Sequence, residues 1–192
     1  MACRTLSIDT ERAALSHAGV QSDCCKMRDG SGVIIRPIQP EDEPLMIRFH
    51  RGLSERSVYM RYFKSLSLAF RTKHERLAKV CVPDTGSETV LVALRQEPQT
   101  GDEEIIAVAR LANLAASNSA DVALLVSDDW QGHGLVTELM RHLIACARAR
   151  NLCRLSAEIL RDDTVMQRIL KQVGFHLRRL EDPRKVKAVC EL

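Results

Sequence analysis

The stretch from Ala120 to Arg150 constrains this chain most. A strand-length apolar run, Ala120-Asp121-Val122-Ala123-Leu124-Leu125-Val126, leads into Trp130-Gln131-Gly132-His133-Gly134-Leu135-Val136. The run does not alternate, which predicts a strand covered on both faces. After the glycines, Leu135, Val136, Leu139, Met140, Leu143, Ile144 and Ala147 recur at three- and four-residue spacing. That period predicts an amphipathic helix. Glycines at the mouth of a helix let backbone approach a ligand closely. The first helical N–H groups lack internal partners and favour anions. The junction is therefore a candidate phosphate cradle; a tight connection without ligand fits the same glycines. It is not a P-loop, since no Gly-Lys-Ser/Thr follows, and Thr137 stands where a dinucleotide-binding turn needs its third glycine.

The local pattern is more specific than its glycines. Val126, a four-residue spacer and Gln131-Gly132-His133-Gly134-Leu135 before a long helix resemble the acetyl-CoA loop of the GNAT acyltransferase superfamily, Gln/Arg-x-x-Gly-x-Gly/Ala. Val136 departs from the pattern, standing where the family has Gly or Ala. The resemblance implies acetyl-CoA as co-substrate. Its pyrophosphate would meet the loop from Gln131 through Gly132, His133, Gly134, Leu135 and Val136 to Thr137, and its pantetheine the backbone of Leu124, Leu125 and Val126. A family asparagine that contacts the cofactor falls at Asp163, which as a plain helix cap needs no ligand.

Composition narrows the alternatives. A formal charge of +3, one Trp and two Tyr give neither a basic patch nor a stacking surface, which argues against nucleic acid. No apolar stretch has membrane-spanning length, and no signal core opens the chain. Seven cysteines without CxxC or metal-type spacing predict reduced thiols in the cytoplasm and no metal site. Cys146 and Cys153 read as small core residues. Cys24-Cys25 lack the partner spacing of a zinc site.

Taken in order, residues 1–32 read as an N-terminal extension, with a short helix over Thr10 to Val20 and a turn at Asp29-Gly30-Ser31-Gly32. A single domain then occupies 33–192. Val33 to Pro37 is the first strand, a helix starts at Asp42-Glu43-Pro44, and Ser54-Glu55 caps a second one running to Phe63. His74 to Val82 is helical. Thr89 to Leu94 and Glu104 to Leu111 form a strand pair. Leu155 to Ile159 is a strand parallel to the run at Ala120, and a helix capped at Asp162 or Asp163 ends at Gly174. His176 to Leu180 and Val186 to Cys190 close the sheet. The expected class is α+β (mixed α/β), and the resemblance makes it a GNAT fold: a mixed, strongly twisted sheet with helices on both faces.

Two further segments carry the resemblance. Val33-Ile34-Ile35-Arg36-Pro37-Ile38 resembles the opening of many GNAT domains. Gly52-Leu53-Ser54-x-x-Ser57-x-Tyr59-x-Arg61-Tyr62-Phe63 is similar to a segment of bacterial protein-lysine acetyltransferases. There the helix pair borders the acceptor, so Tyr59 and Tyr62 either line that entrance or simply pack. The implied activity is acetyl transfer to an amine by direct attack, with protein lysine as a candidate acceptor. A lysine amine has a pKa near ~10.4, so fewer than one part in ~1,000 is neutral at pH 7 and a base is needed. The family's glutamate base falls at Asp121, which otherwise is a strand-end acid facing solvent. The tyrosine that many GNAT enzymes use as acid falls at Leu170. Because Val136, Asp163 and Leu170 all depart from the pattern, an acyl-CoA-binding sensor or scaffold without turnover is the alternative. Monomer and homodimer both fit the sequence.

Overall fold

The computed structural model describes residues 22–192 apart from 28, 97–99 and 116. The helix expected over Thr10 to Val20 lies outside the described residues. Among them, the strands are β1 (Asp23–Lys26), β2 (Gly32–Pro37), β3 (Glu88–Gln96), β4 (Glu103–Asn113), β5 (Ser119–Val126), β6 (Arg154–Leu160), β7 (His176–Arg179) and β8 (Lys185–Glu191). The helices are α1 (Glu43–Gly52), α2 (Glu55–Tyr62), the single turn α3 (Leu68–Arg71), α4 (His74–Cys81), α5 (Leu135–Ala149) and α6 (Thr164–Gln172). One sheet runs in the order β1-β2-β3-β4-β5-β6-β8-β7, and among the described residues only β5 and β6 pair in parallel. The mixed GNAT-type α/β class is as expected.

Helices cover both faces, which explains why β5 does not alternate. Ala120 and Val122 pack into one core with Leu139, Met140 and Leu143 of α5. Leu125 faces the opposite core, with Met46 and Phe49 of α1, Val58 of α2 and Leu77 of α4. Each fully buried aliphatic side chain contributes about 1.5–3 kcal/mol, so both faces of the strand are held. Truncating Leu139, with 0% exposure, would open a cavity in the α5 core at about 2–5 kcal/mol.

Local signals set the helix ends. Ser54 caps α2 by accepting from the Ser57 amide, and Phe63 closes it in the left-handed region. Arg36 forks onto both oxygens of the buried Asp42 at 2.7 Å, fixing the entry to α1. The sheet starts at Asp23, ahead of Val33, where the sequence reading opens the domain. β1 is tied to α5 by His142 Nε2 at 3.2 Å from Asp23 Oδ2. Cys153, expected in the core, is exposed: it lies in the connection before β6, not inside an apolar element. Cys146 is buried on α5 as expected.

Candidate active site at the fork of two strands

The parallel pairing of β5 and β6 is brief. Ser119, Ala120 and Asp121 pair with Arg154, Leu155 and Ser156, and then the ladder stops. β5 keeps its other neighbour as far as Val126 opposite Ala107. β6 keeps β8 as far as Leu160 opposite Lys185. The two strands therefore part from each other while each stays in the sheet. Leu124, Leu125 and Val126 lie beyond the fork, with one edge of β5 unpaired by β6. Backbone groups on such an edge need another partner.

Asp121 sits on the last paired rung. It is exposed, and the Ser156 hydroxyl, itself 3% exposed, donates to Asp121 Oδ1. Side chains alternate along a strand, so Asp121, Ala123 and Leu125 share the face covered by α1, α2 and α4. The acid is neither inert in the core nor isolated: it stands at the mouth of the fork with Oδ1 held.

The glycine turn follows Val126 directly. A short 3-10 turn, Asp128–Trp130, leads to Gly132 at φ +83° and Gly134 at φ +90°. Both lie where only glycine is unstrained. A Cβ built on Gly132 meets nothing within 4 Å, so the space above that peptide is open. Gly134 is the N-cap of α5 and offers no side chain, which leaves the Leu135, Val136 and Thr137 amides without intrahelical acceptors. Val136 is half-buried and packs against the α5 core. His133 Nδ1 lies 3.1 Å from the Gln131 carbonyl, and its Nε2 lies 3.6 Å from Asp29 Oδ2.

A clamp that the sequence did not announce holds this turn. Asp128 Oδ1 accepts from the hydroxyls of Ser54 at 2.6 Å and Ser57 at 2.7 Å, while Oδ2 accepts from the Ser54 amide at 2.9 Å. Gln131 Nε2 in turn donates to Ser57 Oγ at 3.0 Å. Burial works to raise the Asp128 pKa, but hydrogen bonds from Ser54 and Ser57 outweigh it and hold the carboxyl below its usual range. The start of α2 and the glycine turn are thus one unit. Two adjacent acids after a strand gave no hint of partners 74 and 71 residues earlier in the chain.

The remaining expected residues fall as follows. Asp163 caps α6, with Oδ1 accepting from the Met166 amide at 2.9 Å. Leu170 is buried at 1% exposure, packed in the α5 core, so that position supplies no proton donor. Tyr62 lines a cavity against the sheet and accepts from Arg76 Nη2 at 2.8 Å; Tyr59 is 42% exposed.

A family model described as "Acetyltransferase (GNAT) domain" matches residues 33–176. The chain belongs to that family and is an acyltransferase. It is 27% identical over 147 residues to acetyltransferase PA5475 of Pseudomonas aeruginosa, covering 77% of this chain and 76% of that protein. It is 29% identical over 150 residues to acetyltransferase Pat of Mycolicibacterium smegmatis, covering 78% of this chain but only 43% of that longer protein. The solved GNAT domain of S. lividans PAT superposes with a TM-score of 0.75 at 26% identity, over 89% of this chain and 97% of that one. Among the described residues no helix is long and apolar enough to cross a membrane.

Proposed function

We propose that this chain transfers an acetyl group from acetyl-CoA to an amine by direct attack, with protein lysine as the acceptor class and the cytoplasm as its setting. The observation that carries the reading is the parting of β5 from β6 just beyond Asp121 and Ser156, beside the glycine turn. When bound, acetyl-CoA supplies a thioester carbonyl open to a neutral amine. The free edge at Leu124, Leu125 and Val126 suits the amide-bearing pantetheine arm. The uncapped amides of Leu135, Val136 and Thr137, with the open space at Gly132, suit a diphosphate. Gln131 braces the turn from behind through Ser57.

Asp121 is the base in this reading. Ser156 holds its Oδ1, and Oδ2 is left to accept the proton, directly or through water, from an ammonium group arriving at the fork. The neutral amine forms a C–N bond to the acyl carbon, the C–S bond breaks, the sulfur leaves with its electron pair, and the amide nitrogen gives its second proton to water. Leu170 supplies no acid, so the sulfur departs as thiolate; with a thiol pKa near about 8.5 this is tolerable close to neutrality. The protein acceptor rests on the resemblance of Gly52 to Phe63 to the helix pair of protein-lysine acetyltransferases. The cytoplasmic setting draws support from six free cysteines among the described residues.

Calorimetric titration with acetyl-CoA, followed by thiol release over a panel of amines, lysine peptides and proteins, tests the proposal. Saturable binding with amine-dependent release is the expected result. Binding without transfer to any acceptor would establish a sensor instead. No binding at millimolar acetyl-CoA overturns both.

A further inference from the structure

The cavity against the sheet, on the Asp121 face, is built for charge. Its floor is hydrocarbon, from Val90 of β3, Val108 of β4 and Leu125 of β5. Its wall carries Arg61 of α2, Arg76 of α4, Arg110 of β4 and His50 of α1, and among the described residues no carboxylate lines it. Arg110 is neutralised by Glu88, which receives its guanidinium. Arg76 is spent on two neutral acceptors, the Tyr62 hydroxyl at 2.8 Å and the Arg71 carbonyl at 3.2 Å.

Arg61 is different. Among the described residues its guanidinium has no hydrogen bond and no ion pair, and only stacks over the Tyr62 ring at 4.9 Å. Burial, together with Arg110 and Arg76 and against the pull of Tyr62, pushes its pKa below the ordinary arginine value. His50 lines the same cavity with 2% exposure, and among the described residues its buried Nδ1 has no partner. A half-buried cation without an anion and an orphaned ring nitrogen in one cavity both favour a polar occupant.

We infer that this cavity receives a carboxylate belonging to the acceptor, held by the free fork of Arg61, so that the acceptor is an amine whose own molecule carries an acid across an apolar spacer. The inference rests on the proposal that this face is the acceptor side. One unengaged guanidinium matches one planar carboxylate two bonds at a time. Ala123, on the cavity wall, is two residues along the same face of β5 from Asp121, about 6.6 Å. The amine is thereby drawn to Asp121 at one end and the acid to Arg61 at the other, with hydrocarbon between them. A free amino acid and a lysine flanked by an acidic side chain share this chemistry.

Titrating the full chain with 6-aminohexanoate and hexylamine, without acyl donor, reads the carboxylate directly. The peptides acetyl-Glu-Ala-Lys-amide and acetyl-Gln-Ala-Lys-amide do the same for the peptide source. The acidic member of at least one pair should bind about tenfold tighter or better, and its kcat/KM should exceed its partner's by a similar factor. Arg61→Gln should erase the difference and Arg61→Lys restore part of it. Whichever pair shows the difference identifies the source. Equal behaviour within both pairs in the wild type, which needs no variant, overturns the inference; so does a preference unaltered in a folded Arg61→Gln protein. Inorganic phosphate binding tighter than either acid overturns the carboxylate assignment. Carboxylate-selective binding without acetyl-CoA turnover would instead remove the transfer reading and leave the cavity's assignment standing.

Discussion

The Ser156 hydroxyl donates to Asp121 Oδ1 across the last rung that β5 and β6 share. One hydrogen bond thus joins the proposed base to the strand that leaves it. The bond fixes the way the carboxylate faces, so removing it lets Oδ1 and Oδ2 turn away from the fork. Ser156→Ala should lower kcat/KM at pH 7 by about 3- to 10-fold, with the affinity for acetyl-CoA unchanged. A change confined to KM for acetyl-CoA would mean the hydroxyl serves the cofactor instead.

Asp128 offers a test of the clamp. Its pKa is held below the unfolded value, so its stabilising contribution is complete above the usual carboxylate range and fades as pH falls through the lower, folded value. Asp128→Asn should cost about 1 kcal/mol at pH 7, after allowing for its exposure to solvent. In urea unfolding the gap between wild type and variant should narrow as pH falls through and below the usual carboxylate range. The variant should also raise KM for acetyl-CoA, because Gln131 and the glycine turn lose their brace.

These residues also show what the sequence made legible. β5 and α5 could be read because a doubly covered strand and an amphipathic helix leave different periods, and the loop between them carries two glycines with a backbone reason to be there. Asp121 could be placed early in that strand, but its role as base comes from the family resemblance. The strand at Asp23–Lys26 could not, since Asp-Cys-Cys-Lys shows no alternation and pairs only at the sheet's edge. The turn at Leu68–Arg71 is too short to show a period. The clamp of Asp128 on Ser54 and Ser57, and the gathering of Arg61, Arg76 and Arg110, depend on elements distant in sequence. Tertiary packing decides those, and no local pattern reports it.

His50 sets a second pH response. Burial, and then the charges of Arg76 and Arg71, bring its pKa down to about 4 from 6.5. The unfolded chain therefore binds the proton first as pH drops, and stability present above about 6.5 is lost progressively toward 4. The loss is on the order of 3 kcal/mol over that window. Urea midpoints from pH 7.5 to 4 should fall for wild type and fall less steeply for a folded His50→Gln protein.

Gly132→Ala separates conformation from contact. At φ +83° an alanine is strained by about 1 kcal/mol, yet its Cβ meets no protein atom within 4 Å. The melting temperature should drop by a few degrees. KM for acetyl-CoA should rise several-fold, because the methyl occupies the space assigned to the diphosphate. An unaltered KM would remove the turn from the binding site.

The central claim is that Asp121 takes the proton from the attacking amine, and single-turnover thiol release with Asp121→Asn tests it most directly. Asparagine preserves size and can still meet Ser156 but cannot accept the proton. The account predicts a fall of about 10²- to 10⁴-fold in the acyl-transfer rate at neutral pH, with acetyl-CoA affinity unchanged by calorimetry. Transfer at the wild-type rate, with the same pH dependence, would contradict it.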